Sequence, residues 1–139
     1  MDATAVWKSG MSFTGTAFTS NFSVPLGASP KVGGANDGFR PLELVLVGLA
    51  ACTAMDVISI LGKKRQQVTA FEVKAHGDQA EEHPRAFTKF VVEYIVTGKG
   101  IDRDAVERAV ELSQTKYCSV TATLRNTGPI ETKITLKEG

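Results

Sequence analysis

The sequence predicts an α+β fold, on three observations. Alternating apolar runs open the chain, recur in its middle and close it; one long apolar helix follows the first group; and one amphipathic helix precedes the last run. The expected order is β-β-β-α-β-β-α-β. At 139 residues the chain fits a single domain, residues 1–139, long enough to bury most of its apolar surface on folding.

The first 25 residues read as short strands. DATAVWK puts Ala3, Ala5 and Trp7 on one face, MSFTGTAF follows Ser9 and Gly10, and NFSVPL ends at Pro25, so a meander is expected. Residues 27–40, GASPKVGGANDGFR, are rich in Gly, Pro, Asn and Asp and read as a flexible loop, a candidate lid over a site. The glycines match neither phosphate-loop spacing.

A helix is predicted from Pro41 to about Leu61. Proline suits the first helical position because its missing N–H costs nothing there, and the Glu43 carboxylate in the first turn suits the helix dipole. Gly62 is the expected stop, with Lys63, Lys64 and Arg65 favourably placed near the C-terminus. LELVLVGLAACTAMDVISIL is apolar on nearly every side, so it has no solvent face and needs cover all round. A single layer of strands covers one side; the second helix or a second subunit supplies the rest, and a homodimer is the economical answer. The same run followed by GKKR also passes as a membrane span, but Asp56, Thr53 and Ser59 inside it argue against one.

TAFEVKAHG and RAFTKFVVEYIVTG alternate as strands, joined by a polar hairpin connection, DQAEEHPR. Asp102 then caps a helix whose stripe is Ile101, Ala105, Val106, Ala109, Val110 and Leu112, with Arg103, Glu107, Arg108 and Glu111 facing water. TATLRN reads as a further short helix, and PIETKITLK as a closing strand.

Composition excludes several functions. A charged fraction of 22% and a net charge of +1 provide no field to recruit nucleic acid or acidic lipid. MDATAVWKSG has no leader pattern, so a cytoplasmic protein is expected. In that reducing compartment Cys52 and Cys118 rest as thiols, and a disulfide between them is transient rather than structural. Cys52 sits among Ala50, Ala51, Thr53 and Ala54, which leave room around the sulfur but also suit simple packing. It lies too far along its helix to be acidified by the N-terminus, so another group has to help. Cys118 sits at a helix break, where free backbone N–H groups favour a thiolate. His76 and His83 stand alone, so no zinc site is expected. Ser113 to Lys116 matches SxxK without its companion motifs, a chance match. Arg40 and Glu43 bracket Pro41 and can position a reactive group or merely cap the helix.

Three stretches, RPLELVLVGLAACTAMDVISIL, EEHPRAFTKFVVEY and SQTKYCSVTATL, together resemble the OsmC family, which includes the organic hydroperoxide resistance proteins. Its most specific marks are the Pro-x-Glu-Leu helix start with a cysteine eleven residues after the proline, and a second cysteine after an amphipathic helix. The resemblance implies an intertwined homodimer with the cysteine-bearing helices central and active sites at the subunit interface. It implies thiol peroxidase chemistry on an organic hydroperoxide, with Cys52 as peroxidatic thiolate, Cys118 as resolving thiol and no metal or dissociable cofactor. Regeneration is by a dithiol, in some relatives a lipoyl group on a carrier protein. By the same resemblance Glu43 is catalytic and Arg40 binds substrate, with two departures. In the hydroperoxide resistance branch an acidic residue directly follows the proline, where this chain has Leu42, and the arginine lies earlier, whereas residues 1–39 here contain none. The competing reading is a dimeric binding module whose pocket, lined by Leu46, Ala50 and Met55, takes an apolar small molecule, the cysteines being packing residues.

Overall fold

The computed structural model describes all 139 residues. They form two compact units, Met1–Val45 and Leu46–Gly139.

In the first unit β1 (Ala3–Ser9), β2 (Ser12–Ala17) and β3 (Ser23–Leu26) form the expected meander, an antiparallel sheet in that order. Gly10, at φ 52°, makes the first turn, and the Trp7 indole donates to its carbonyl at 2.9 Å. The segment expected as a flexible lid is instead tied to β3. Gly27 N–H donates to the Phe39 carbonyl at 3.1 Å and Phe39 N–H to the Pro25 carbonyl at 3.0 Å. Ser12 Oγ donates to Asp37 Oδ2 at 2.6 Å. The glycines serve close approach rather than mobility: a Cβ on Gly34 would overlap the Ala28 carbonyl.

Helix α1 (Pro41–Lys63) starts in the first unit and runs into the second. Glu43 Oε1 accepts from Arg40 N–H at 2.7 Å, the half of a capping box that satisfies the N-cap donor. The C-terminus differs from expectation. The helix passes Gly62 and ends in a Schellman motif, with Gln66 N–H to Leu61 O and Arg65 N–H to Gly62 O, both 3.0 Å. The left-handed residue is Arg65, at φ 57°; Gly62 stays helical because the cap lies three residues further on.

In the second unit α1 buries Leu49, Thr53, Val57 and Leu61, one residue per turn, so a single stripe faces the core. Val47, Met55 and Ile58 remain 51%, 69% and 41% exposed: one chain covers this apolar helix on one side only. By length and hydropathy (window mean 2.3) it could cross a bilayer, but Thr53 and Asp56 have partners inside the protein. The sheet holds β4 (Gln67–Gln79), β5 (Phe87–Lys99) and β6 (Ile130–Glu138) with β5 central. β4 runs antiparallel to β5 and β6 parallel to it. Phe90, Val92, Tyr94 and Val96 of β5 are fully buried.

A parallel partner needs a crossover, made here by α2 (Arg103–Leu112), one π-helical turn (Ser113–Tyr117) and α3 (Ser119–Leu124). Asp102 caps α2, accepting from Asp104 N–H at 3.0 Å, and the buried stripe is Ala105, Val106, Ala109 and Val110. Arg103–Glu107 and Arg108–Glu111 pair on the outer face.

A left-handed arginine carries about 1 kcal/mol of backbone strain that glycine does not. Arg65 is exposed and makes no ion pair within 4 Å. Arg65→Gly is therefore expected to raise stability in urea unfolding by up to about 1 kcal/mol; a loss of stability would contradict this reading of the cap.

Candidate active site

Two free thiols meet in the second unit. Cys52 is half-buried in the middle of α1, one residue from the buried stripe. Cys118 is 2% exposed and caps α3, its sulfur accepting from Thr121 N–H at 3.3 Å. The next residue supplies Ser119 Oγ, 3.8 Å from Cys52 Sγ.

This arrangement separates the acidities of the two thiols. Burial raises the Cys52 pKa, but the Val120 N–H, the Cys118 thiol, and the Ser119 hydroxyl and N–H all hydrogen-bond to the sulfur and hold it below the ordinary thiol value. Cys118 goes the other way. Burial raises it, bonds from Thr121 offset this only in part, and the neighbouring Cys52 raises it further. Of the free N–H groups at the helix break, that of Thr121 favours a thiolate at Cys118, as expected from sequence, but burial outweighs it; those of Ser119 and Val120 favour one at Cys52. Thr121 Oγ1 is buried with no hydrogen-bond partner that meets the geometry of a full bond.

Beneath the sulfurs runs a chain of hydroxyls. Ser113 Oγ donates to Asp56 Oδ2 at 2.8 Å. Ser113 having spent its proton, Thr53 Oγ1 is the donor in the 2.7 Å Thr53–Ser113 bond, and Tyr94 Oη the donor in the 2.7 Å Tyr94–Thr53 bond. Gln114 Nε2 donates to Tyr94 Oη at 2.7 Å. The donor order from Gln114 through Tyr94, Thr53 and Ser113 to Asp56 is thus fixed. Burial raises the Tyr94 pKa, bonds with Thr53 and Gln114 offset this in part, and the charges of Cys118 and Asp56 raise it further, so the phenol keeps its proton at neutral pH.

The residues predicted from sequence fall into two groups. Cys52 and Cys118 come together. Arg40 and Glu43 belong to the first unit, joined by the cap bond. Arg40 Nη2 donates to Asn36 Oδ1 at 2.6 Å and Nη1 to Gly38 O at 3.2 Å. Both line an open depression of about 480 Å³ with Pro25, Asp37 and Phe39. His76 pairs with Asp78 on an exposed face. Sequence reasoning missed Ser119 and Val120, which follow Cys118 directly, and the Tyr94–Thr53–Ser113–Asp56 chain. The available signals were three polar residues in apolar surroundings: Thr53 and Asp56 inside the helix, and Ser113 at the end of the α2 stripe.

An α+β scaffold presenting one acidified and one protected thiol in contact defines a dithiol protein. The family model described as OsmC-like protein matches residues 34–133, and the chain belongs to the OsmC-like family. It is 40% identical over 120 residues, 86% of each chain, to the Escherichia coli K12 protein YhfA. A hypothetical protein from Aquifex aeolicus VF5 superposes with a TM-score of 0.85 at 27% identity, covering 99% of this chain and 96% of that one. An organic hydroperoxide resistance protein OsmC from Legionella pneumophila shares the fold, with a TM-score of 0.70 at 14% identity over 96% of this chain and 95% of that one.

Alkylation reads the acidity difference directly, since only the thiolate reacts. Iodoacetamide is expected to label Cys52 first, with a rate midpoint below the ordinary thiol pKa, and Cys118 only at higher pH. Equal rates at both cysteines, resolved by peptide mass spectrometry, would contradict the assignment.

Proposed function

We propose that this protein is a thiol-dependent peroxidase for organic hydroperoxides, acting in the cytoplasm. The observation that carries the reading is the contact between a thiol held below its ordinary pKa, Cys52, and one held above it, Cys118. The Cys52 thiolate attacks the terminal peroxide oxygen; the O–O bond breaks, an alcohol leaves after taking up a proton, and the sulfur becomes a sulfenic acid. Cys118 then gives up its proton and attacks that sulfur as the thiolate, forming the disulfide, and the proton leaves with the displaced hydroxide as water. A dithiol, such as a lipoyl group, restores both thiols by exchange and leaves as its own disulfide. The raised pKa of Cys118 keeps it protonated until that step and so leaves the peroxide to Cys52.

A homodimer completes the proposal. Val47, Met55 and Ile58 form an uncovered apolar flank on α1, and a second α1 is an economical cover. In this proposal Glu43 as catalytic group and Arg40 as substrate-binding group act on the thiol of the second copy.

One equivalent of cumene hydroperoxide is expected to remove both free thiols of the wild type and none from Cys52→Ser. Cys118→Ser should stop at the sulfenic acid, trapped by dimedone on Cys52. Unchanged thiols in the wild type at neutral pH would defeat the peroxidase reading.

Sedimentation should give the mass of two chains. Co-expressed Cys52→Ser and Glu43→Gln chains should regain turnover that neither homodimer has. A monomer, or no regain, would remove the second copy from the site.

A further inference from the structure

Ser113 is fully buried, stands at the start of the π-helical turn, and takes part in no step above. Its side chain holds α1 at two points just after the reactive cysteine: it accepts from Thr53, the residue after Cys52, and donates to Asp56, about one turn further on. Its carbonyl accepts the Cys118 N–H at 2.8 Å. One residue thus ties the backbone of one thiol to the helix of the other. The π-helical bond matters here. An i to i+5 closure puts one more residue into the turn than an α-helix would. Cys118 is thereby brought out of helical register, with extended backbone (φ −74°, ψ 105°), and becomes the cap of α3. Without the Ser113 hydroxyl, Thr53 keeps Tyr94 and Gln114, but no side-chain bond joins the π turn to Asp56.

We propose that Ser113 is the positioning residue of the thiol pair, setting the sulfur-to-sulfur approach through its bonds to Thr53, Asp56 and Cys118, and so controlling closure of the disulfide rather than attack by Cys52. This rests on the reading of the two cysteines as a redox pair, but not on the oxidant being a peroxide. A disulfide tolerates only a narrow range of Cα separation and dihedral angle, so a loosened π turn lowers the fraction of time in which the sulfurs can join. Cys52 keeps its bonds to Ser119 and Val120 in the absence of the Ser113 hydroxyl, and with them its reactivity.

The test uses the full-length protein in glutathione buffers, where oxidised glutathione takes two electrons and two protons from the two thiols and leaves as two reduced molecules. Ser113→Ala is expected to lower the equilibrium constant for Cys52–Cys118 disulfide formation at least tenfold. Its iodoacetamide rate at Cys52 should stay within twofold of wild type. Thr53→Val, which removes one of the two bonds to α1, should shift the same constant in the same direction by less, and serves alone should Ser113→Ala fail to fold. An unchanged constant overturns the proposal. So does a fall matched by an equal fall in Cys52 alkylation, which would make Ser113 a purely structural residue. A wild type that forms no disulfide in these buffers overturns it as well. A wild type inert to cumene hydroperoxide but showing the Ser113 effect leaves the positioning role standing and removes only the peroxidase.

Discussion

A hydroxyl on the buried stripe of an apolar helix has to find its partners inside the protein, and most of the site follows from how Thr53 meets that requirement. A stripe of Leu49, Val57 and Leu61 alone would let α1 slide or turn on the sheet at small cost, because apolar contact is non-directional. The bonds from Thr53 to Tyr94 and Ser113 are directional, and breaking one strands a buried polar group at a cost of about 1–3 kcal/mol. Tyr94 belongs to the central strand and Ser113 to the crossover, so a single side chain fixes α1 against both. Cys52, next in sequence, inherits that placement.

The chemistry then comes from a local break in helical geometry. Had α2 continued as a regular helix through residue 118, its backbone N–H groups would have been spent on carbonyls one turn back. The π turn ends the ladder, α3 begins afresh, and the Ser119 and Val120 N–H groups are free to face Cys52. The same break leaves Cys118 buried, with a raised pKa. One backbone event thus acidifies one sulfur and protects the other.

Most of the architecture was legible in sequence because it rests on periodicity. Alternation marked the strands, Asp102 marked the α2 cap, and Pro41 with Glu43 marked the start of α1. Periodicity could not reveal the cap at Arg65, since nothing about an arginine signals a left-handed backbone and Gly62 was the more obvious stop. The lid expected at residues 27–40 failed for a related reason: glycine permits both mobility and close packing, and only the bonds to Phe39 and Asp37 distinguish them. In the site, the cysteines were legible by type and by family resemblance. Their activating groups were not, because a backbone N–H belongs to every residue but proline and carries no mark in the sequence. Ser113 was set aside as a chance motif, its value lying in bonds to residues 57 and 60 positions away.

The parallel pairing of β5 with β6 carries a kinetic consequence. Contacts between distant segments form late and slowly, and the sulfur of Cys52 meets Ser119 across 67 positions. A chain still being folded, or one partly melted, has two ordinary thiols of similar acidity. The acidity that sets Cys52 apart is therefore gained only with the finished tertiary structure and is lost when the crossover comes away.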